Sequence, residues 1–305
     1  MRIAVTCCLM VLVLAGKTSA RQTDQSQITT VFIILMENHD WSQIRNNPQA
    51  PYINDTLLPM SSYAEQYLNP PGVHPSLPNY LWLEAGDNFG IFNDGLPAVN
   101  HQDTTSHLVT LLENAGLTWK SYQEDIDGST CPLQNSFQYA PKHNPMVYFD
   151  DVTDVNDPSS ARCIAHVRPY SELERDLAND TVANYNFITP NLCHDMHDCG
   201  VDVGDAWLSN EIPKILNSAA YQRSALFITW DEGKGGSDGP IGFIVLSPFA
   251  KGNGYSNSIY YTHSSTLRTV QTLFGLAPLL GDAANAADLS DLFSAPLVSA
   301  PLAVR

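Results

Sequence analysis

Two acid-bearing stretches stand out in the chain. Glu37 and Asn38 follow directly on the apolar run Val31-Phe-Ile-Ile-Leu-Met36, and Asp231 and Glu232 follow directly on Ala225-Leu-Phe-Ile-Thr-Trp230. Three carboxylates and one amide form an all-oxygen donor set of the kind that suits a divalent cation. Carboxylates crowded into partly dry surroundings repel one another unless a cation sits among them. A third polar cluster, His194-Asp195-Met196-His197-Asp198, follows the apolar run Tyr185–Thr189. A hydroxyl candidate sits between two prolines, at Pro75-Ser76-Leu77-Pro78. Proline fits the first turn of a helix and not its interior. The spacing therefore predicts Ser76 at the N-cap of a helix over 77–85, where free N–H groups and the helix dipole favour phosphate.

The elements that must position these residues can be read from periodicity. The runs at 31–36, 185–189, 225–230 and 242–246 are short, mostly apolar and rich in β-branched and aromatic residues. Such runs read as strands buried on both faces, as in a parallel sheet. In open α/β sheets ligands bind at the carboxyl ends of the strands. Strands 31–36 and 225–230 lying side by side would bring Glu37, Asn38, Asp231 and Glu232 to one point. A further strand is expected at 117–122. Helices are expected within 52–67 and over 104–115, 171–177, 204–216 and 264–274, with His263 at the start of the last. Pro213 is expected to kink or break its helix. The fold class is α/β, a mostly parallel central sheet with helices on both faces.

The chain has 305 residues and a formal charge of −17. That surface disfavours nucleic acid and anionic membranes, so no nucleic-acid binding is expected. Met1-Arg2, the apolar stretch 5–15 and Thr18-Ser19-Ala20 have the form of a signal peptide over 1–20. It is too short for a comfortable transmembrane helix, and no other run approaches spanning length. Residues 21–28 read as a polar leader, 29–281 as the catalytic domain and 282–305 as a loosely packed tail. Secretion or export to a periplasm is the expected location. Beyond the signal remain Cys131, Cys163, Cys193 and Cys199. An even count in an exported chain reads as two disulfides, with Cys131–Cys163 and Cys193–Cys199 the favoured pairing of three.

With these residues in place, the chain resembles the phosphoesterase family that joins bacterial acid phosphatases and non-haemolytic phospholipases C, within the alkaline-phosphatase-like superfamily. The resemblance rests on MENHD at 36–40, HPSLPNYL at 74–81, KHNP at 142–145, PNLCHDMHD at 190–198, TWDEGKGG at 229–236 and THSSTLRTV at 262–270. It implies an alkaline-phosphatase-like fold. It also implies one divalent metal (Mg, Ca, Mn or Zn) held by Glu37, Asn38, Asp231 and Glu232, with Ser76 as both nucleophile and ligand. SLPN looks like the TFPN run of nucleotide pyrophosphatases, which puts Asn79 on the substrate. His143, His197 and His263 resemble the phosphate-binding and acid–base histidines, with His194 and Asp195 as second choices.

The implied activity is hydrolysis of phosphate monoesters through a phosphoserine, with an acidic pH optimum because protonated histidines would grip the phosphate. The substrate would be a small phosphorylated molecule or a phospholipid head group, with no stable membrane insertion. A phosphodiesterase of the phospholipase C type and a non-catalytic secreted binding protein are the alternatives. A sulfatase would need CxPxR, which Cys131-Pro132 does not supply. Oligomeric state and natural substrate are not legible.

Overall fold

The computed structural model of the chain describes residues 28–297. The expected signal segment and nearly all of the polar leader lie outside the described residues.

Ten strands run in chain order. They are β1 (Thr30–Met36), β2 (Ser62–Ala64), β3 (Tyr67–Leu68), β4 (Trp119–Gln123), β5 (Val167–Pro169), β6 (Tyr185–Thr189), β7 (Ser224–Trp230), β8 (Phe243–Leu246), β9 (Tyr255–Asn257) and β10 (Tyr261–Thr262). Eight of them form one sheet in the order β5-β4-β6-β1-β7-β8-β2-β9, and β10 pairs with β3 apart from it. Five of the seven pairings in the large sheet are parallel; only β8 runs antiparallel to its neighbours β7 and β2. Every residue of β6 and β7 is buried, as is all of β1 beyond Thr30, so both faces of the sheet centre are covered. Uninterrupted apolar strands are what a two-faced core demands.

The helices that matter for the site are α1 (Ser76–Ala85), α2 (Leu108–Asn114), α3 (Ser171–Ala178), α4 (Val201–Leu216) and α5 (His263–Phe274). Thr262 and Ser265 form a capping box at the start of α5, which satisfies backbone N–H groups that have no intrahelical partner. Gly86 ends α1 in the left-handed region at φ 70°, and a Cβ there would lie 2.6 Å from the Leu280 carbonyl oxygen. Only glycine tolerates both conditions.

Several expectations need correction. The stretch 52–67 contains the expected helix, with Ile53–Leu57 and Leu58–Met60 helical, but Ser62–Ala64 and Tyr67–Leu68, for which no strand is expected, are strands. Ser62, Tyr63 and Ala64 pair with Val245, Ile244 and Phe243, and segments this short show no period in sequence. Ser76 is the first helical residue, with Pro75 at the N-cap. Pro213 sits inside an unbroken α4. It lies in the last turn, where one missing hydrogen bond costs little continuity. The chain beyond 281 is not loose as far as 297: Ala283, Leu289, Leu292 and Phe293 are buried in the common core. An average over an Ala/Ser/Pro-rich composition hid those few anchoring side chains.

Both favoured disulfides are present, Cys131–Cys163 and Cys193–Cys199. A thiol titration of the denatured, non-reduced protein, purified without residues 1–20, is expected to find no free thiol. Two or more free groups would contradict this framework.

Candidate active site

The register of the sheet builds the centre. Met36 lies opposite Trp230 in the parallel β1–β7 pair, and the Asp231 N–H donates to the Met36 carbonyl at 3.0 Å. Glu37 and Asp231 are therefore neighbours, one residue beyond the paired strands. The chain turns at Asn38, whose φ of 44° is in the left-handed region that asparagine tolerates better than most residues. The Asn38 N–H donates to Asp231 Oδ1 at 3.0 Å. Glu37, Asp231 and Asp195 are each fully buried.

Helix α1 brings the hydroxyl. Residues i and i+4 share a helix face. Ser76 Oγ accordingly donates to Glu37 Oε2 at 3.0 Å, and Tyr80 Oη to Glu37 Oε1 at 2.5 Å. One carboxylate is thus held by both hydroxyls of one helix face. The start of α1 offers fewer backbone donors than expected. Pro78 has no N–H, and Asp94 Oδ1 accepts from the Leu77 N–H at 3.0 Å. Ser76's own N–H is the donor left near its hydroxyl.

The loop after β6 closes the site from the other side. The Glu37 N–H donates to the Asp195 carbonyl at 2.8 Å, tying that loop to the end of β1. His143 lies between the two acids, its Nε2 3.3 Å from Glu37 Oε2 and its Nδ1 3.3 Å from Asp195 Oδ2. Its ring stacks on Tyr80 at 5.1 Å between centroids. Asp195 Oδ1 accepts from the His197 N–H at 2.8 Å. His197 has Nδ1 on Asp198 at 2.7 Å and Nε2 3.3 Å from Lys142 Nζ, and its ring is 5.7 Å from that of His143. The Cys193–Cys199 bridge spans this loop, and its Met196 packs on α4 at Gly204, where a Cβ would lie 2.4 Å from Met196 Cγ.

Not every expected residue faces the centre. Glu232 is buried one position past Asp231, but its Oε2 meets His74 Nδ1 at 2.5 Å and Asn79 Nδ2 at 3.3 Å. Asn79 also donates to the carbonyls of Val73 and Pro75, which orients its Oδ1. His263 is fully buried, with Nε2 on the Asp231 carbonyl at 2.6 Å and Nδ1 on Tyr67 Oη at 3.0 Å. Both its nitrogens are committed, so it braces the end of β7. His194 pairs with Glu124 at 2.8 Å beside Trp207 and joins none of these contacts. Tyr80, Lys142, Asp94 and His74 belong to the site and were not singled out from sequence.

Electrostatics point to a cation. Burial pushes the Glu37 carboxyl up to about 7, and burial together with the Glu37 charge holds Asp231 well above the usual carboxylate range. Burial likewise takes Asp195 and Glu232 to about 7. Burial lowers His143, and lowers His263 to about 4. The contacts of His263 with Tyr67 and the Asp231 carbonyl occupy both of its ring nitrogens. The standing positive charge is Lys142. Burial lowers its pKa, but the Glu37 and Asp94 charges outweigh that and raise it overall. Asn38 Oδ1, Asp231 Oδ2 and Asn79 Oδ1 are buried oxygens with no hydrogen-bond donor among the described residues. Buried polar atoms without partners are rare and call for a specific cause. A divalent cation among Glu37, Asn38 and Asp231 would supply one for the first two. The ligand atoms of Glu37, His143 and His197, which lie within 4.8 Å of one another, offer a second possible grouping.

The segment 63–277 matches the family described as Phosphoesterase family. The chain belongs to that family. This phosphoesterase is 30% identical over 263 residues to phosphatidylinositol-3-phosphatase of Mycobacterium tuberculosis, covering 86% of the chain and 82% of that protein. It is 32% identical over 262 residues to an acid phosphatase of Aspergillus fumigatus, covering 82% of the chain and 55% of the relative. Among solved structures, an alkaline phosphatase superfamily protein from Vibrio parahaemolyticus aligns with a TM-score of 0.56 and 10% identity, over 88% of this chain and 72% of the other. That likeness supports the α/β fold class. The expected enzyme class, a phosphoric monoester hydrolase, agrees with the names of the two relatives, and phosphoesterases of this kind are generally metal-dependent.

The electrostatics give this phosphoesterase a testable signature. Glu37 loses its proton near pH 4.5 when unfolded and near 7 when folded without metal, so between those values the folded state binds more protons. Stability of the metal-free protein must then fall as pH rises through that window. Asp231 and Asp195 act in the same direction. Chelated protein is expected to melt about 5 °C or more lower at mildly alkaline than at mildly acidic pH, with added divalent metal restoring the alkaline value. A melting temperature that ignores chelator at every pH would contradict a cation among these acids.

Proposed function

We propose that the chain is a secreted, metal-dependent acid phosphatase that hydrolyses phosphate monoesters through a covalent phosphoserine at Ser76. The observation that carries this reading is the shared carboxylate: Ser76 Oγ donates to Glu37 Oε2 next to two buried oxygens without donors, Asn38 Oδ1 and Asp231 Oδ2. Glu37, Asn38, Asp231 and Ser76 would hold the metal, and Glu232 would support Asn79. When bound, a divalent cation there offsets the carboxylate charge, favours the Ser76 alkoxide and polarises a phosphoryl oxygen.

The chain's own groups do the rest. Ser76 Oγ attacks phosphorus and the ester P–O bond breaks. The serine proton passes towards Glu37 Oε2, and His197 in its protonated form gives a proton to the departing oxygen. Neutral His197 then takes a proton from water, which attacks the phosphoserine; the bond from phosphorus to Ser76 Oγ breaks, the proton held by Glu37 returns to Ser76 Oγ, and inorganic phosphate leaves. Lys142 and the Ser76 N–H would orient and neutralise phosphoryl oxygens, while the Asn79 Nδ2 is engaged by Val73, Pro75 and Glu232. His143 and Asp195 hold Glu37 and the 190–199 loop in register, and His263 holds Asp231. The two disulfides fit an oxidising, exported location.

The test is turnover of 4-nitrophenyl phosphate against its bis ester across pH. The monoester should be preferred at least about tenfold, with activity falling above neutrality. Preference for the bis ester would favour a phospholipase C-type diesterase, and a plateau above about pH 8 would remove the acid role of His197.

A further inference from the structure

A cavity of about 360 Å³ opens beside the proposed metal ligands. It shares Asn38 and His197 with the centre and extends away between the segment after β1 and the start of α4. Its volume lies at the lower end of the range for small-molecule sites, roughly 300–1,000 Å³. No Asp or Glu lines it, although the chain carries 32 acidic residues. Three other cavities each present carboxylates: Asp125 and Asp127 in one, Asp40 and Glu65 in another, Glu124, Glu174 and Glu211 in a third.

Several side chains lining this cavity keep a polar atom without a partner. His39 Nδ1 is bound to the Glu37 carbonyl at 2.9 Å, which leaves Nε2 open. With Nδ1 donating to that carbonyl, the neutral ring presents Nε2 as an acceptor. Gln43 Oε1 accepts from the Asp40 N–H at 3.1 Å, which frees Nε2 as a donor. The Gln49 side-chain amide and Lys234 Nζ make no hydrogen bond or ion pair among the described residues. Three donor side chains and two acceptors, His39 Nε2 and Gln49 Oε1, stand beside apolar wall at Met196 and Val201 and suit an alcohol that carries several hydroxyl groups.

We propose that this cavity is the leaving-group subsite and that it selects phosphorylated polyols, with Lys234, Gln43, Gln49 and His39 reading the hydroxyls of a hexose-sized alcohol. The inference rests on Ser76 and its neighbours being the phosphoryl centre. It adds which alcohol the phosphate leaves from. A site built to bond hydroxyls rejects a leaving group that lacks them, because its polar atoms are then left unpaired.

The experiment compares glucose 6-phosphate with 4-nitrophenyl phosphate in wild type and in the double variant Lys234→Ala/Gln49→Ala. Both substituted side chains are exposed, so folding is not at risk. The variant should lower kcat/KM for glucose 6-phosphate about tenfold more than for the aryl ester. In a second arm, calorimetry follows glucose 6-phosphate binding to Ser76→Ala with and without the same two substitutions. Binding should weaken about tenfold when they are added. Equal effects on both esters, or unchanged binding, would overturn the subsite. A wild type that hydrolyses neither ester would sink the phosphatase reading alone, and the binding arm would still decide the cavity.

Discussion

Ser76→Ala is expected to lose several orders of magnitude in kcat. The substitution removes the nucleophile and one proposed metal ligand together, and effects at such a centre are not spread over partners that can substitute. Substrate binding should largely survive, because Lys142 and the remaining ligands are untouched. The fold should survive as well, since α1 keeps Tyr80 on Glu37 and its packing around Leu77 and Leu81, both fully buried. A variant that keeps more than about a tenth of wild-type kcat, a barrier change of only ~1.4 kcal/mol, would show that water or another residue attacks.

Asp231→Asn and Glu37→Gln carry the second large effect. Each should abolish bound metal, measured by elemental analysis, and reduce turnover by roughly a thousandfold or more. The same substitutions should not lower the melting temperature of metal-free protein at neutral pH. Asp231 and Glu37 are buried acids held well above their ordinary pKa, and the neutral amide removes a group that burial penalises when charged. Stable protein with no metal and no activity separates a lost ligand from a lost fold. Normal turnover in either variant would reduce Glu37 and Asp231 to ordinary buried acids.

The centre was legible where the sequence is locally decisive. An uninterrupted apolar strand that stops at acids announces both the parallel sheet and the end that carries ligands, and Glu37 and Asp231 meet as the runs at 31–36 and 225–230 imply. The two favoured disulfides are those the structure holds; Cys193 and Cys199 are close in sequence, whereas Cys131 and Cys163 stand 32 residues apart and meet only through the fold. Tyr80 was missed although its signal was available: it stands four residues after Ser76 in a helix already expected, hence on the same face. Lys142 sat inside a quoted motif but was passed over for its neighbour His143, because charge compensation depends on which acids lie across the fold.

The histidines show where sequence reasoning stops. His194 and His197 are three residues apart in one dense loop, yet one faces Glu124 and the other the centre. Met196 between them has φ 80°, a local twist that composition does not reveal. His263 is where the helix start was expected, but its direction is set by Tyr67 and the Asp231 carbonyl, both distant in sequence. Glu232 likewise turns to His74, a contact across 158 positions.

The most direct measurement is rapid acid quenching during steady turnover of a phosphorus-labelled monoester, followed by proteolysis and mapping of the label. The account predicts phosphate on Ser76, in the peptide that spans residues 72–86, and none in Ser76→Ala. Full turnover with no trapped phosphate at any quench time, or label on a histidine instead, would contradict it.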